Sequence, residues 1–106
     1  MELSKKDCKA CEGNMPKLTA KQSNTLLKQL KSWKIKNKHI HRQFKFKDFK
    51  EAMKFINKIA IIAEKEQHHP DITIHYSKVD IEMWTHSING LSENDFILAA
   101  KIDKAV

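Results

Sequence analysis

The sequence has few of the residues that interrupt regular structure, with two glycines and two prolines in 106 residues. This scarcity excludes a long flexible linker or a low-complexity tract. Long hydrophobic runs are also missing, because no wholly apolar stretch is longer than the five residues 59–63, well short of the roughly 20 needed to span a bilayer. Since the N-terminus is charged rather than hydrophobic, we expect an intracellular, cytoplasmic protein with no membrane partner.

Cysteine is equally scarce, with Cys8 and Cys11 as the two cysteines, spaced C-x-x-C in a polar segment. A zinc site would need two further ligands from elsewhere. A thioredoxin-like site would need a strand-helix-strand context that this segment lacks. We therefore interpret the segment with the two cysteines as a tail that has no chemical function. The alternatives are a metal-binding or redox role and a disulfide.

The chain is short, which limits the size of the hydrophobic core that it can bury. A domain of this size buries only about 60 to 65% of the surface that its unfolded chain exposes, so we expect oligomerisation. Apolar residues make up 41% and charged residues 31% of the sequence, which is typical of a soluble globular protein. We predict a polar lead-in over residues 1–17 and a single domain over residues 18–106.

The net charge of +7 is unevenly distributed along the chain. Residues 13–47 contain ten basic residues and no acidic residue, whereas residues 48–106 carry seven basic and ten acidic residues, a net of −3. Such a basic region attracts phosphates when it is concentrated on one surface. Its lysines are spread over several predicted elements, so a solvated surface is favoured, and a protein or nucleic-acid partner is the alternative.

Two of the three predicted helices begin with a capping box. Thr19 is followed three residues later by Gln22, and Ser92 is followed three residues later by Asp95. The first of these helices is predicted to run to about Leu30.

The longest predicted helix begins after Asp48, a natural N-cap. Phe55 and Ile62 lie off its main apolar stripe, so we expect surplus apolar surface that suits a subunit contact. The stripe itself recurs at helical spacing over four turns and consists of Phe49, Ala52, Met53, Ile56, Ile59, Ala60 and Ala63.

Alternating apolar and polar residues predict two hairpins on either side of this helix. The first joins strands at residues 33–35 and 40–46 through a turn at Asn37, and the second joins strands at 72–76 and 79–86. Two hairpins separated by a long amphipathic helix most naturally form one antiparallel four-stranded sheet with three helices on one face. The predicted fold class is therefore α+β in the order αββαββα.

Three of the six histidines are candidates for chemistry. His68 and His69 lie in the connection after the long helix, and His86 lies at the end of a strand, so the two groups can meet at one rim of the sheet. Histidine has an unperturbed pKa of about 6.5 and exchanges protons near neutral pH. The cluster suggests acid and base catalysis.

A surface role and metal binding are the alternatives for these histidines. Adjacent residues on an extended chain project to opposite sides, which makes His68 and His69 awkward as joint metal ligands. His39 and His41 have better spacing for a metal, but we expect no carboxylate or thiol beside them. No sequence arrangement typical of a nucleophilic enzyme is present.

A longer pattern around the candidate histidines is more specific than the histidines alone. It resembles the signature region of the pterin-4a-carbinolamine dehydratases, which reads E-x-x-x-H-H-P, Y-x-x-V, T-H and G-L-S-x-x-D. A weaker resemblance extends from about residue 18 to residue 105. The matching segments are E-K-E-Q-H-H-P at 64–70, Tyr76, Val79, Thr85-His86 and G-L-S-E-N-D at 90–95.

The resemblance implies a fold, a reaction and an assembly. The family has the same αββαββα order, forms dimers or tetramers, and removes water from a 4a-hydroxytetrahydropterin to give a quinonoid dihydropterin. The resemblance implies no metal or redox cofactor. Some members also act as dimerisation cofactors for a homeodomain transcription factor, which makes a non-catalytic binding role the alternative function.

The resemblance also implies roles for individual residues. His68 and His86 are expected to be the catalytic acid and base, and His69 is expected to bind the pterin. Further candidates for substrate binding are Asp95, Glu64 and Trp33. A structural role is the alternative for each of them: helix capping for Asp95, solvation for Glu64 and core packing for Trp33.

Overall fold

The computed structural model describes residues 2–9 and 16–106, which form three α-helices, four β-strands and two short 3-10 turns. The observed order confirms the predicted αββαββα arrangement. Among the described residues, no helix is both long enough and apolar enough to cross a membrane. In chain order the elements are a 3-10 turn at Leu3–Lys5, α1 (Ala20–Leu27), β1 (Lys34–Lys36), β2 (His39–Lys45), α2 (Phe49–Glu66), β3 (Asp71–His75), β4 (Lys78–Met83), a 3-10 turn at His86–Ile88 and α3 (Glu93–Ala105).

The four strands form one antiparallel sheet in the order β1-β2-β4-β3. The β1–β2 turn uses Asn37 and Lys38, both in the left-handed region with φ of 52° and 63°, as a two-residue hairpin loop requires. In the register, Ile40 pairs with Met83 across β2 and β4, and Asp71 pairs with Glu82 across β3 and β4. Because side chains alternate along each strand, this register fixes which of them share a face.

One face of the sheet is buried under the helices, and the other is open. The open face is polar and carries His39, His41 and Glu82, all partly exposed. On the covered face the strand residues pack against Phe96 and Leu98 of α3, both 0% exposed. The predicted layer arrangement is therefore confirmed, with a covered face formed by Ile40, Phe44, Val79, Ile81 and Met83.

Both predicted capping boxes are present. Thr19 Oγ1 accepts from the Gln22 backbone N–H at 3.1 Å, and Gln22 Oε1 accepts from the Thr19 N–H at 2.9 Å. At α3, Asp95 Oδ2 accepts from the Ser92 N–H at 3.0 Å. Helix α1 ends at Leu27, earlier than predicted, because the next backbone hydrogen bonds span three residues rather than four.

The inward face of α2 differs from the predicted stripe. Phe55 is 3% exposed and packs between the rings of Phe44 and Phe46, at centroid distances of 4.7 and 5.0 Å. The expectation that Phe55 would supply surplus surface is therefore wrong, because Phe55 packs in the core against Phe44 of β2 and Phe46, the residue after β2. Phe49 is instead 50% exposed, and Ala60 is exposed.

The described part of the lead-in is packed on the domain and is not simply an irregular tail. Leu3 is 3% exposed within the core, and the Ser4 carbonyl accepts from Lys101 Nζ at 3.0 Å. The Asn94 side chain accepts from the Lys9 N–H at 2.9 Å and donates to the Lys9 carbonyl at 2.7 Å. These contacts attach residues 2–9 to α3.

The C-x-x-C pair is only half described. The Cys8 N–H donates to Glu66 Oε1 at 2.8 Å, and its Sγ lies 3.7 Å from the Asn94 carbonyl oxygen. Cys11 lies outside the described residues. The choice between a tail without chemistry, a metal or redox role and a disulfide therefore stays open.

Candidate active site

The end of α2 directs His68 into the protein. Gln67 follows the helix in the left-handed conformation with φ of 53°, and the backbone N–H groups of Gln67 and His68 both donate to the Ala63 carbonyl. This is a common way to end a helix and turn the chain. As a result the His68 side chain is buried, at 6% exposure, beneath the start of α3.

A buried carboxylate holds the His68 ring. His68 Nε2 lies 2.6 Å from Asp95 Oδ1, and Asp95 is 0% exposed. The other carboxylate oxygen accepts from Thr85 Oγ1 at 2.9 Å and from the Ser92 N–H at 3.0 Å. Thr85 and Ser92 are also hydrogen bonded to each other through their hydroxyls, at 2.7 Å. Such a network fixes the orientation of an imidazole.

His69 and Glu64 form a second, exposed pair. Glu64 lies in the last two turns of α2, and its Oε2 contacts His69 Nε2. The side chains are 55% and 71% exposed, so this pair is open to solvent. Of the two possibilities raised by the sequence, the geometry favours a glutamate that orients a histidine.

His86 lies on a small closed loop after β4. The loop is closed by a bridge in which the Thr85 N–H donates to the Gly90 carbonyl at 2.8 Å, and Asn89 adopts the left-handed conformation. The His86 side chain is exposed and stacks on Trp84, with ring centroids 4.2 Å apart and an interplanar angle of 14°. The loop therefore presents His86 at the surface.

The buried carboxylate contacts one predicted catalytic histidine and the residue before the other. Asp95 accepts from His68 through one oxygen and, through the other, from Thr85, the residue directly before His86. His69 follows His68 in the chain and is bonded to Glu64 instead, so the Asp95 network contains the His68 side chain and lies next in sequence to His69 and His86. They differ in burial, since His68 is buried and His69 and His86 are exposed.

Trp84 is a residue of this region that the sequence had not singled out, and Thr85 and Ser92 had been named as signature residues without a role in the site. Trp84 stacks on His86 on one side and on His39 on the other, where the centroids lie 3.8 Å apart at 5°. Its position two residues before His86 was the available signal, because residues i and i+2 of a strand share a face. Thr85 and Ser92 lie in matching signature segments, but nothing in the sequence indicated that their hydroxyls bond to each other or that Thr85 bonds to Asp95.

The expectation that no carboxylate accompanies His39 and His41 is wrong. Glu82 of the neighbouring strand contacts His39 Nδ1, and its Oε2 lies 3.8 Å from His41 Nε2. The strand register brings these residues together, because His41 pairs with Glu82. Of the described residues, these three are the group whose ligand atoms are placed to hold a metal ion.

Trp33 lies in the core. It is 5% exposed, its ring packs edge-on to Phe44, and its Nε1 donates to Asp103 Oδ1 at 2.9 Å. Asp103 also accepts from Arg42 at 2.6 Å. These contacts favour the core role of Trp33 over closure on a ligand.

A large groove lies on the sheet away from the three histidines. Its volume is about 780 Å³, and its lining includes His41, Glu82, Asp80 and Thr73 of the open face. His68, His69 and His86 do not line it. The groove therefore does not bring the three histidines together: His68 is bonded to Asp95, whereas His69 is bonded to Glu64 and His86 stacks on Trp84.

The fold and the site define a small αββαββα domain in which a carboxylate-held histidine lies near two exposed histidines. The family model described as pterin 4 alpha carbinolamine dehydratase matches residues 16–105. The chain therefore belongs to the pterin-4a-carbinolamine dehydratase family, as its sequence resemblance predicted.

Relatives match nearly the whole chain. A protein of Nitrosospira multiformis named "Putative pterin-4-alpha-carbinolamine dehydratase" is 49% identical over 102 residues, covering 96% of this chain and 90% of its own. A protein of Rickettsia bellii with the same name is 50% identical over 103 residues, with coverages of 95% and 91%. These relatives therefore match the chain over nearly its whole length.

Two solved structures share the fold. The crystal structure of a transcriptional coactivator/pterin dehydratase from Brucella melitensis has a TM-score of 0.82 at 38% identity, covering 85% of this chain and 98% of its own. A pterin dehydratase-like protein identified as a RuBisCO assembly factor in the alpha-carboxysome has a TM-score of 0.59 at 22% identity, with coverages of 69% and 84%. The second likeness shows the fold alone.

Proposed function

We propose that this chain is a hydro-lyase that removes water from a 4a-hydroxytetrahydropterin and releases a quinonoid dihydropterin, as a step in pterin recycling. The observation that carries the proposal is the buried His68–Asp95 pair, joined through Thr85 to the loop of His86. Both histidines belong to the segment in which the chain resembles the family signature. Family membership supplies the substrate class, and the network supplies groups suited to proton transfer.

The proposed reaction needs two proton movements. The bond between carbon 4a and its hydroxyl oxygen breaks, a proton is delivered to the departing oxygen, and a proton is removed from a ring nitrogen. Positioned general acids and bases accelerate such steps by roughly 10²- to 10⁴-fold. We assign these two roles to His68 and His86, which exchange them between substrate stereoisomers.

The neighbouring residues receive supporting roles. His69 is proposed to bind the pterin, because its ring is exposed and oriented by Glu64. Asp95 is proposed to act through His68, because its carboxylate is 0% exposed and bonded to protein donors. Trp33 is proposed to support the core, since Asp103 and Phe44 hold its ring.

The test is a dehydration assay with purified protein and a chemically generated 4a-hydroxytetrahydropterin. We expect the protein to accelerate loss of water without added metal, and we expect a chelator to leave the rate unchanged, because histidines carry the proton transfer. Circular dichroism confirms that the sample is folded. Folded protein that gives no acceleration would rule the proposal out.

A binding role is the second candidate function. It is favoured by the coactivator name of the Brucella melitensis structure and by the basic region at residues 13–47. If the basic region binds the phosphates of a nucleic acid, the affinity should fall steeply between low and moderate salt concentration. A gel-shift series over that salt range tests this version, and binding that is absent or independent of salt would dismiss it.

A further inference from the structure

We propose that His39, His41 and Glu82 form a binding site for a divalent transition-metal ion of the Zn²⁺ class on the open face of the sheet. The three residues lie on β2 and β4 and are not part of the His68–Asp95 network. The proposal goes beyond the proposed dehydration, in which histidines transfer the protons, and it does not depend on that reaction.

The strand geometry places the three side chains together. His39 and His41 are two residues apart on β2, so they project from the same face. Glu82 pairs with His41 across β2 and β4, and alternation places it on that face as well. His39 Nδ1, His41 Nε2 and a Glu82 carboxylate oxygen all lie within 4.8 Å of one another.

The separations suit a tetrahedral ion after small side-chain adjustments. Metal–ligand bonds of about 2.0 to 2.1 Å place two ligands of a tetrahedral zinc roughly 3.3 Å apart. The distance from His41 Nε2 to Glu82 Oε2 is 3.8 Å, and His39 Nδ1 is already in contact with the same oxygen. An ion would replace the direct His39–Glu82 contact and join all three residues.

The donor set selects a class of metal. Imidazole nitrogens suit Zn²⁺, Cu²⁺ and Ni²⁺, whereas Mg²⁺ and Ca²⁺ prefer oxygen ligands alone. Two imidazoles and one carboxylate match this first group. Three protein ligands leave at least one coordination position for water or another small ligand.

The surroundings hold the ligands but also limit affinity. Trp84 stacks flat on the His39 ring at 3.8 Å, and the Lys36 carbonyl lies 3.3 Å from His41 Nε2, which must turn from this oxygen to bind an ion. The ligands are 22 to 37% exposed, so an ion can reach them. In the register Lys34 and Lys36 lie opposite the two histidines, and Asp71 lies opposite Glu82. The positive charges of the two lysines weaken the binding of a metal cation, whereas the negative charge of the aspartate strengthens it.

The experiment is a calorimetric titration of full-length protein with Zn²⁺, in a Cys8→Ser/Cys11→Ser background that removes competing thiols. We expect one saturable site whose affinity falls at least about tenfold in His41→Gln and in Glu82→Gln. His75→Gln is the matched control, because His75 is an exposed strand histidine near Asp80 and outside the cluster. It should bind like the parent protein.

A second readout locates the ion. Cu²⁺ bound by His39 would lie next to Trp84, so it should quench tryptophan fluorescence at one equivalent in the parent and not in Glu82→Gln. Binding that is unchanged in both ligand variants, or no saturable binding at all, would overturn the proposal and leave the three residues as a cross-strand ion pair. Neither result bears on dehydration, which is measured separately.

Discussion

The central residue of the site is Asp95, because a single buried carboxylate accepts from His68, Thr85 and Ser92. A hydrogen bond to a charged group contributes about 1.5 to 3 kcal/mol, roughly twice a neutral one. Removing the charge also leaves buried donors without a matching acceptor, which costs about 1 to 3 kcal/mol. The predicted capping role and a contact with His68 that the sequence did not predict therefore coexist in one side chain.

Asp95→Asn tests this double role. We expect the free energy of unfolding to fall by about 1 to 3 kcal/mol and kcat to fall more than about tenfold with little change in KM, because an amide cannot accept from all three donors. Denaturant unfolding and steady-state kinetics measure the two effects. The control is Glu93→Gln, which neutralises the neighbouring exposed carboxylate that pairs with Lys6 at 3.2 Å. A kcat unchanged in Asp95→Asn would mean that Asp95 only caps α3.

At the scale of elements, the face that α2 buries determines where the end of this helix lies, and therefore where His68 is placed. The inward face contains Ala52, Phe55, Ile59 and Ala63, each 3% exposed or less. This orientation sends the end of the helix toward α3, where Gln67 turns His68 inward. The rings of Phe44 and Phe46 against Phe55 therefore contribute to the placement of a residue several turns away.

Phe55→Ala tests the observed orientation of α2. Removing a buried phenylalanine costs about 3 to 5 kcal/mol through lost burial and the cavity that remains. The control is Ile61→Ala on the same helix, which should change stability by about 0.5 kcal/mol or less because Ile61 is 72% exposed. Equal losses in urea unfolding of the two variants would show that the helix buries another face.

Local features of the sequence predicted the elements well. The capping boxes at Thr19 and Ser92 depend on residues three positions apart, so the sequence contains the whole interaction. The rotation of α2 depends on rings contributed by β2, and no local pattern specifies it. The apolar stripe of this helix is wide enough to permit more than one inward face.

At the scale of the whole molecule, the sequence identified the histidines but not what surrounds them. Asp95 reaches His68 across 27 positions, and Glu82 reaches His39 across 43. Such contacts follow from strand register and helix docking, which are set by the complete core. The family resemblance supplied the set of site residues, whereas the network of Thr85 and the stacking of Trp84 required the structure.

The molecule also leaves apolar surface on α2 that suits self-association. Phe49 is 50% exposed, Ala60 is exposed, and Met53 and Ile56 between them are half-buried. These positions recur at helical spacing along one stripe. We propose that this stripe, rather than the predicted pair Phe55 and Ile62, contributes to a homodimer or homotetramer.

Sedimentation tests the assembly. The 12.4 kDa chain should sediment as a species of two or four chains. Ala60→Glu should shift the population toward smaller species, because it places a charge within an apolar contact. Lys58→Glu, an exposed change elsewhere on α2, is the control and should leave the mass unchanged. A monomeric parent protein would contradict the proposed assembly.

The central claim is that His68 and His86 transfer the protons of pterin dehydration. Its most direct test compares the parent protein with His68→Ala/His86→Ala in the dehydration assay, with His75→Ala as the control for an exposed histidine outside the site. We predict that the double variant keeps its circular dichroism spectrum and loses about 10²- to 10⁴-fold in rate, while the control keeps the parent rate. Near-parental turnover in the folded double variant would contradict the account.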